Sequence, residues 1–247
     1  MILGLIPARL KSQRLPNKPL INIDGLPLII HVLKRIKLSK LIDRIIVCTD
    51  DKLVKDCVET YGGRCVLTSK NFKNGTERIS SLKNEIRRSK LVIDIQCDEL
   101  FLNPIHLDNL IKFHIKNNKF DIVIPHSLII KKKADNQNIV KIISNQNNKI
   151  HYMTRSLAPS LFRYKKKFLF RKHLDFISFK PKSLLKFSRL RVSKNEMYEG
   201  VELNRAIDNN LNVGTVFFDS KYNSINTQKD LKSAKKDILS CKIRKKY

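Results

Sequence analysis

The chain has 247 residues, enough for one α/β domain with a full core or for two small ones, and its 42% hydrophobic content is ordinary for a globular protein. No apolar stretch approaches the roughly 20 residues that cross a bilayer, and the apolar start is too short for a signal peptide. The five cysteines are odd in number and form no C-x-x-C pair, which argues against a zinc knuckle or a disulfide framework. We therefore expect a single cytoplasmic domain with reduced thiols and no membrane partner.

The formal net charge of +28 is the most unusual bulk property. Such a charge is typical of proteins that bind nucleic acid, an anionic membrane or an acidic substrate. Compositional drift is an alternative cause, because lysine, asparagine and isoleucine are all abundant and all have A/T-rich codons. The lysines are spread along the chain, and no zinc-finger, RRM or KH signature is present. We therefore expect no specific nucleic-acid binding.

The first twenty residues, MILGLIPARLKSQRLPNKPL, combine an apolar run with a basic loop. Met1–Ile6 is continuously apolar and ends at Pro7, a pattern typical of a parallel strand buried on both faces. Four cations follow within ten residues, namely Arg9, Lys11, Arg14 and Lys18. Arginine can bind two phosphate oxygens at once and lysine supplies a compact positive charge, so the loop suits a di- or triphosphate. The alternative is a basic loop that only faces water. Neither a P-loop nor a dinucleotide-binding fingerprint is present.

Strands and helices alternate through the first half of the chain. We predict strands at Arg44–Thr49, Arg64–Leu67 and Leu91–Ile95, and helices after Pro27, after the capping residue Asp51, and from Pro104 to about Lys116. The alternation predicts a parallel sheet, and such sheets bind ligands at the carboxyl ends of their strands. Asp50 and Asp98 follow two of these strands, where a carboxylate is well placed to hold Mg²⁺ against phosphate.

The second half is predicted to be richer in strands. We expect strands at Phe120–Ile129, Ile139–Ser144, Ile150–Thr154 and Val213–Phe217, a capping box at Ser193–Glu196 that opens one helix to Ile207, a final helix to about Leu239, and a frayed tail from Lys242 to Tyr247. His173 lies in an apolar segment, where a histidine is usually a core residue whose ring nitrogens are hydrogen-bonded within the protein. Glu196 and Glu199 share one helical face.

Four segments of the first half carry a family resemblance. IPARLKSQRLPNKPL resembles the I-P-A-R-x-x-S-x-R-L-P-x-K-P-L signature of the bacterial 3-deoxy-manno-octulosonate cytidylyltransferases (CMP-Kdo synthetases), matching eleven fixed positions without a gap. Thr49-Asp50 also falls in the family's order. Asn74–Arg78 resembles the family's S-G-T-E-R segment. Gln96–Glu99 resembles Q-G-D-E-P, with Cys97 in place of the glycine and Leu100 in place of the proline.

Four later segments follow in the family's order. His151–Ser156 resembles Y-F-S-R-A, and Ser193–Arg205 resembles S-P-L-E-x-x-E-x-L-E-x-L-R. His173–Phe179 aligns with H-x-G-I-Y-G-Y but has Ile177 for the first tyrosine and lacks both glycines. Ile225–Leu231 aligns with V-D-T-P-E-D-L, with Asn226 in place of the first aspartate.

The resemblance implies an α/β fold with a Rossmann-like, mainly parallel sheet flanked by helices, of the nucleotide-diphospho-sugar transferase type. It also implies that a strand-rich region over residues 120–180 serves the sugar side and a homodimer contact. The implied reaction transfers CMP from CTP to the anomeric hydroxyl of Kdo, a 2-keto-3-deoxy sugar acid, giving CMP-Kdo and pyrophosphate for lipopolysaccharide synthesis. Mg²⁺ is the implied cofactor.

The resemblance also implies roles for individual residues. The catalytic residues would be Arg9, Lys18 and Asp98. The nucleotide would be bound by Arg9, Ser12, Arg14, Lys18, Asp50, Thr76 and Arg78. The sugar acid would be bound by Gln96, Arg155, His173, Glu196 and Glu199. The metal would be held by Asp98 and Asn226, and because Asn226 brings an oxygen without a charge, the site should rely more on the nucleotide phosphates.

Three alternatives remain open at this point. Ile177 and the missing glycines favour a cytidylyltransferase for another ulosonic acid. Cys97, Leu100 and Asn226 together favour a decayed homologue that binds nucleotide without turnover. Nucleic-acid binding through net charge is the third alternative, and it predicts a steep dependence of binding on salt.

Overall fold

The computed structural model describes residues 1–10, 15–164, 166–220 and 224–247. Its strands are β1 (Ile2–Ala8), β2 (Asn22–Ile23), β3 (Leu26–Pro27), β4 (Arg44–Thr49), β5 (Cys65–Leu67), β6 (Leu91–Ile95), β7 (Ile122–Ile129), β8 (Lys141–Ser144), β9 (Ile150–Thr154), β10 (Phe170–His173), β11 (Phe176–Phe179) and β12 (Val213–Phe217). Its helices are α1 (Leu28–Ile36), α2 (Lys52–Thr60), α3 (Gly75–Ser80), α4 (Lys83–Arg87), α5 (Pro104–Lys116), α6 (Lys131–Ala134), α7 (Pro181–Phe187), α8 (Lys194–Glu199), α9 (Asn204–Asp208) and α10 (Gln228–Asp237). Short 3-10 turns lie at Lys18–Leu20, Ile238–Ser240 and Arg244–Lys246.

The chain forms two compact units. The first contains residues 1–111 and 222–247, and the second contains residues 112–221. The single domain over residues 1–247 that the sequence suggested stays a prediction. Among the described residues, no helix is both long and apolar enough to span a membrane.

The first unit is built on a parallel sheet in the order β5-β4-β1-β6. Every residue of β1 and β6 is buried, which explains their continuous apolar sequences. β4 and β6 have the predicted bounds, as does α5, and Asp51 caps α2 by accepting the Leu53 N–H at 2.9 Å. The alternation of strands and helices thus gives the parallel sheet that the sequence predicted.

Pro7 does not end the first strand, contrary to the sequence prediction. β1 continues to Ala8, and Pro7 pairs in register with Cys48 of β4. The pairing of β1 with β6 stops at Leu5, so at Pro7 the ladder continues only towards β4. A residue without an N–H is tolerated where a strand has lost one of its neighbours.

Arg35 of α1 is fully buried. Its Nε donates to the Tyr247 hydroxyl at 3.0 Å, its Nη1 to the Leu102 carbonyl at 3.2 Å, and its Nη2 to Cys241 Sγ at 3.0 Å. The guanidinium also lies over the rings of Phe101 and Tyr247. The predicted frayed tail is therefore wrong, because Tyr247 is fixed by Arg35.

The C-terminal segment completes a core of the first unit. α10 and the turn after it pack their apolar side chains against residues from the N-terminal part of the chain. The buried members of this cluster are Leu15, Ile23, Leu28, Leu100, Ile225, Leu231, Ala234, Ile238 and Cys241. The first unit therefore needs both ends of the chain to bury its apolar surface.

The second unit contains a mixed sheet centred on β7. β10 and β11 pair antiparallel with β7, β12 pairs parallel with it, and β8 and β9 extend the sheet beyond β10. β9 and β12 have the predicted bounds. The turn between β8 and β9 uses Asn148 at a positive φ of 61°, which asparagine tolerates better than most residues.

The single helix predicted from Ser193 to Ile207 is interrupted. The capping box is present, with the Ser193 hydroxyl accepting the Glu196 N–H at 3.3 Å, but α8 ends at Glu199, with Gly200 as its C-cap, and α9 begins only at Asn204. Gly200 has φ of 58°, a left-handed conformation that ends a helix at low cost for glycine. Glu196, Glu199 and Glu202 are spaced as on one continuous helix, so the sequence pattern did not indicate this interruption.

Candidate active site

Lys18 brings together three oxygen atoms of the first unit. Its ammonium lies 2.5 Å from Asp98 Oδ2, 3.2 Å from the Ile225 carbonyl oxygen and 3.3 Å from Asn226 Oδ1. Asp98 is buried, so this charge-assisted contact is shielded from water more than a surface ion pair would be. The structure thus joins Lys18 and the two predicted metal ligands in one cluster, which we call the Lys18 cluster.

Local structure fixes each member of the Lys18 cluster. Lys18 begins a 3-10 turn that follows Asn17, whose φ is 54°, and Pro19 restricts the backbone within the turn. Asp98 follows the buried strand β6, and its carbonyl accepts the Ile225 N–H at 3.2 Å. Asn226 directly precedes Thr227, which caps α10. The cluster therefore forms where a strand end, a tight turn and a helix start converge.

The oxygens of the Lys18 cluster are of the kind that bind Mg²⁺. A carboxylate, an amide oxygen and a backbone carbonyl are all hard ligands, and here they already surround one cation, the Lys18 ammonium. Within the described ranges, no group of three or more histidine, cysteine, aspartate or glutamate residues could hold a metal. The three oxygens therefore fit a divalent cation in their chemical type.

Arg78 and Asp50, both predicted to contact nucleotide, form an ion pair at the neighbouring strand ends. Arg78 is fully buried, with Nη2 at 2.9 Å from Asp50 Oδ2 and Nη1 at 2.5 Å from Thr68 Oγ1. Thr68 in turn donates to the Thr49 carbonyl of β4 at 2.9 Å. Arg78 therefore links α3 to β4, and its predicted contact with nucleotide stays a prediction, as does that of Thr76, which is buried in the same helix.

Gly75 brings α3 close to β1 and to Gln96. A Cβ atom at this position would lie 3.1 Å from Pro7 Cγ and 3.8 Å from Gln96 Oε1. Gln96 donates to Asp94 Oδ1 at 3.1 Å, and Arg9 donates to the Phe72 carbonyl. Arg9 and Gln96 thus have fixed protein partners in the first unit. Ser12 and Arg14 lie outside the described residues.

In the second unit, Glu196 is held by Arg205 through two hydrogen bonds. Arg205 Nη2 lies 2.6 Å from Glu196 Oε1, and Nε lies 2.7 Å from Oε2. Both side chains are largely buried, and Arg205 also lies over the Phe187 ring. The pair joins α8 to α9 across the break at Gly200, so Glu196 has a clear structural partner that spacing alone did not identify.

Glu199 makes three hydrogen bonds to neighbouring residues, two of them with Arg155. Glu199 accepts from the Thr154 hydroxyl at 2.6 Å and from the Arg155 N–H at 2.7 Å, while Arg155 Nε donates to the Glu199 carbonyl at 2.8 Å. Burial raises the pKa of the Glu199 carboxyl, but hydrogen bonds from Thr154, the Arg155 backbone and Tyr152 outweigh it and hold the pKa below its usual value. Glu199 is therefore an acceptor and not a proton donor near neutral pH.

His173 has a polar neighbour at one of its two ring nitrogens. Its Nδ1 lies 3.2 Å from Asp175 Oδ1, and its buried Nε2 has no hydrogen-bond partner within the described part of the chain. His126, opposite it in the β10–β7 ladder, donates to or accepts from Thr215 Oγ1 at 2.7 Å. His173 is thus only half satisfied, unlike a typical core histidine.

Comparison with known proteins places this arrangement in a family. A family model described as "Cytidylyltransferase" matches residues 3–214. A 3-deoxy-manno-octulosonate cytidylyltransferase from Thermodesulfovibrio yellowstonii is 33% identical, with 94% of this chain and 96% of the relative covered. The chain belongs to the 3-deoxy-manno-octulosonate cytidylyltransferase family. An 8-amino-3,8-dideoxy-manno-octulosonate cytidylyltransferase from Shewanella frigidimarina is 31% identical, with 92% of this chain and 94% of the relative covered.

A solved structure supports the same family and confirms the fold class. The structure of a CMP:2-keto-3-deoxy-manno-octonic acid synthetase complexed with CTP has a TM-score of 0.92 and 26% identity, covering 97% of this chain and 98% of that chain. The predicted α/β fold with a Rossmann-like, mainly parallel sheet of the nucleotidyltransferase type is therefore confirmed. The chain is a CTP-dependent nucleotidyltransferase by its family.

Cys97 departs from the family pattern without adding a reactive group. The thiol is buried, and burial, followed by the nearby Asp98 carboxylate, raises its pKa to about 12. Cys97 therefore stays protonated at neutral pH and is a poor nucleophile. All five cysteines of this family member are free, as the sequence predicted.

The two missing glycines of the H-x-G-I-Y-G-Y pattern are replaced by residues that contact histidines. Asp175 contacts His173, and Ser178 Oγ lies 2.7 Å from Nδ1 of the buried His114. Sequence reasoning noted only what these replacements removed. A polar residue in place of a glycine, in a segment that contains a histidine, is the sequence feature that could have indicated these contacts.

Proposed function

We propose that this chain transfers CMP from CTP to the anomeric hydroxyl of 3-deoxy-manno-octulosonate in the cytoplasm. In this reaction the hydroxyl oxygen bonds to the α-phosphorus of CTP, the bond from that phosphorus to the bridging oxygen breaks, and pyrophosphate leaves. The Lys18 cluster is the observation that supports this proposal most directly, because it presents an ammonium, a carboxylate and an amide at the strand ends where nucleotides bind in such sheets.

In this proposal, residues of the first unit bind the triphosphate. Arg9, Ser12, Arg14 and Lys18 hold the phosphate oxygens, and Asp50, Thr76 and Arg78 support the nucleotide. The Lys18 ammonium stabilises the negative charge that develops on the phosphoryl oxygens, which is the main catalytic contribution a positively charged side chain makes. Arg9 and Lys18 also fix the position of the α-phosphate, so less entropy is lost on reaching the transition state.

Asp98 and Asn226 are the proposed Mg²⁺ ligands. When bound, the metal would neutralise phosphate charge and make the sugar hydroxyl more acidic. Asp98 Oδ2 already accepts a hydrogen bond from Lys18, so the carboxylate is oriented by a cation before nucleotide arrives. With one carboxylate and one neutral amide, the protein supplies little anionic charge, and the nucleotide phosphates supply the rest.

The residues proposed to contact the sugar acid are Gln96, Arg155, His173, Glu196 and Glu199. His173 presents a buried Nε2, whereas Glu196, Glu199 and Arg155 are already engaged by neighbouring residues. We therefore propose that His173 contacts the sugar through Nε2. The other three residues contact the sugar as well, while keeping their present partners.

An assay with purified protein tests the proposed function. CTP, Mg²⁺ and a panel of ulosonic acids are supplied, and CMP-sugar and pyrophosphate are measured. Preference for Kdo is the expected result. The relative named for an 8-amino-3,8-dideoxy acid makes that acid the strongest competitor, and preference for it would overturn the choice of substrate. If the rate stays at background while CTP still raises the melting temperature, the protein binds nucleotide without catalysis.

We also propose that the chain is a homodimer. Large apolar side chains are exposed in the 120–180 region of the second unit, namely Leu128, Ile130, Phe162, Tyr164 and Leu169. Covering these side chains with a second copy would remove apolar surface from water. Sedimentation equilibrium should give twice the chain mass, and a monomer at micromolar concentration would contradict this proposal.

Asn226→Asp is expected to lower the Mg²⁺ concentration that gives half-maximal rate by about tenfold, because a carboxylate adds charge to the metal's ligand set. The rate is measured against Mg²⁺ at fixed CTP. Asn118→Asp is the matched control, since it adds the same charge at an exposed position of the second unit. An unchanged or raised requirement in Asn226→Asp would show that residue 226 does not approach the metal.

A further inference from the structure

The turn between β10 and β11 contains a histidine and an aspartate that contact each other. His173 ends β10, and Asp175 directly precedes β11. The Asp175 side chain is 37% exposed, and its Oδ1 lies 3.2 Å from His173 Nδ1. The other ring nitrogen, Nε2, is buried and has no hydrogen-bond partner among the residues the structure describes. One ring nitrogen therefore lies beside a carboxylate, and the other is buried without a partner among these residues.

Asp175 determines which ring nitrogen carries the proton. A carboxylate oxygen 3.2 Å from His173 Nδ1 disfavours a lone pair on that nitrogen and favours a proton there. In the neutral ring the proton then lies on Nδ1, and Nε2 has a free lone pair. A carboxylate that fixes a histidine tautomer in this way is a recurring device around reactive histidines.

The contact is a feature of this chain and not of the family pattern. Asp175 stands where H-x-G-I-Y-G-Y has its first glycine, and a glycine has no side chain that could contact the ring. Ser178 stands at the second glycine but contacts His114. Of the two replacements, only Asp175 therefore acts on His173.

We propose that Asp175 is a positioning residue that holds His173 with its proton on Nδ1, so that Nε2 accepts a hydrogen bond from a hydroxyl group of the sugar acid. This inference rests on the proposed function. A hydroxyl fits because it supplies the proton that a free lone pair needs. A substrate carboxylate has no such proton and would face the Nε2 lone pair directly. A sugar acid carries several hydroxyl groups and satisfies the requirement.

The tautomer is tested without substrate. Long-range ¹H–¹⁵N correlation spectra of the labelled protein report which imidazole nitrogen is protonated. For His173 we expect the proton on Nδ1 in the wild type and its redistribution towards Nε2 in Asp175→Gly. Ser178→Gly is the matched control, since it restores the other family glycine and should leave the His173 signals unchanged. A wild-type spectrum with the proton on Nε2 overturns the proposal.

Kinetics test the hydroxyl contact. Asp175→Gly should raise the KM for the sugar acid about three- to tenfold, the loss expected for one weakened hydrogen bond, while the KM for CTP stays constant. Ser178→Gly should leave both constants unchanged. Equal changes in both KM values, or no change in either, overturn the proposal. A wild type that makes no CMP-sugar overturns the proposed function, and the spectra then decide alone whether Asp175 sets the tautomer.

Discussion

Lys18→Met is expected to lower kcat/KM by about 10²- to 10³-fold, the usual cost of removing one charge-stabilising donor from an active site. Methionine keeps the length and most of the volume of lysine but removes the ammonium that contacts Asp98, Ile225 and Asn226. The charge developing on the phosphoryl oxygens then loses a nearby cation. Steady-state rates at saturating Mg²⁺ measure the effect.

The same substitution also leaves the buried Asp98 carboxylate without its ammonium, so lost stability must be separated from lost catalysis. Lys18→Met combined with Asp98→Asn removes the unpaired charge and should recover thermal stability without recovering activity. Lys40→Met, at an exposed position of the first unit, is the matched control and should retain full activity. A loss of less than about threefold in a folded Lys18→Met protein would exclude a catalytic role for Lys18.

Acid is expected to destabilise the second unit strongly between pH 6.5 and pH 4. Burial lowers the pKa of His114 and of His126 to about 4, from an ordinary value of 6.5. Both histidines are therefore neutral in the folded protein over this range, whereas the unfolded chain binds protons at both. Stability is fully present above pH 6.5 and is lost as pH falls towards 4, by up to about 3 kcal/mol for each histidine.

Urea unfolding at pH 7 and at pH 4.5 measures this loss. His114→Asn removes one of the titrating groups while keeping an amide that can hydrogen-bond Ser178, so its free energy of unfolding should depend less on pH. His151→Gln, at an exposed position of β9, is the control and should keep the wild-type pH dependence. Equal free energies at the two pH values for the wild type would contradict the assignment.

Local patterns in the sequence were sufficient for most secondary structure. β4, β6, β9, β12 and α5 have the predicted bounds because each combines a clear apolar pattern with turn residues at its ends. The helix break at Gly200 was missed because the carboxylate spacing continued through it. Glycine in a left-handed conformation ended the helix despite that spacing.

Contacts between distant residues could not be predicted in the same way. Arg35 follows a polar pattern on α1, yet it is buried because Leu102, Cys241 and Tyr247 supply acceptors far along the chain. The sequence motifs named Lys18, Asp98 and Asn226 as site residues, but only the fold shows that one ammonium contacts the other two. The His173–Asp175 contact depends on the geometry of a turn, which residue types alone do not specify.

The discontinuous first unit has a consequence for how the protein is made. The ribosome delivers Lys18 and Asp98 early, but Ile225, Asn226 and α10 emerge only after the whole second unit. Until then, the nascent chain exposes Leu15, Leu28 and Leu100, which α10 later covers. A translation product that stops before α10 therefore lacks both the closed core and the complete Lys18 cluster, and it presents the kind of apolar surface that chaperones and proteases recognise.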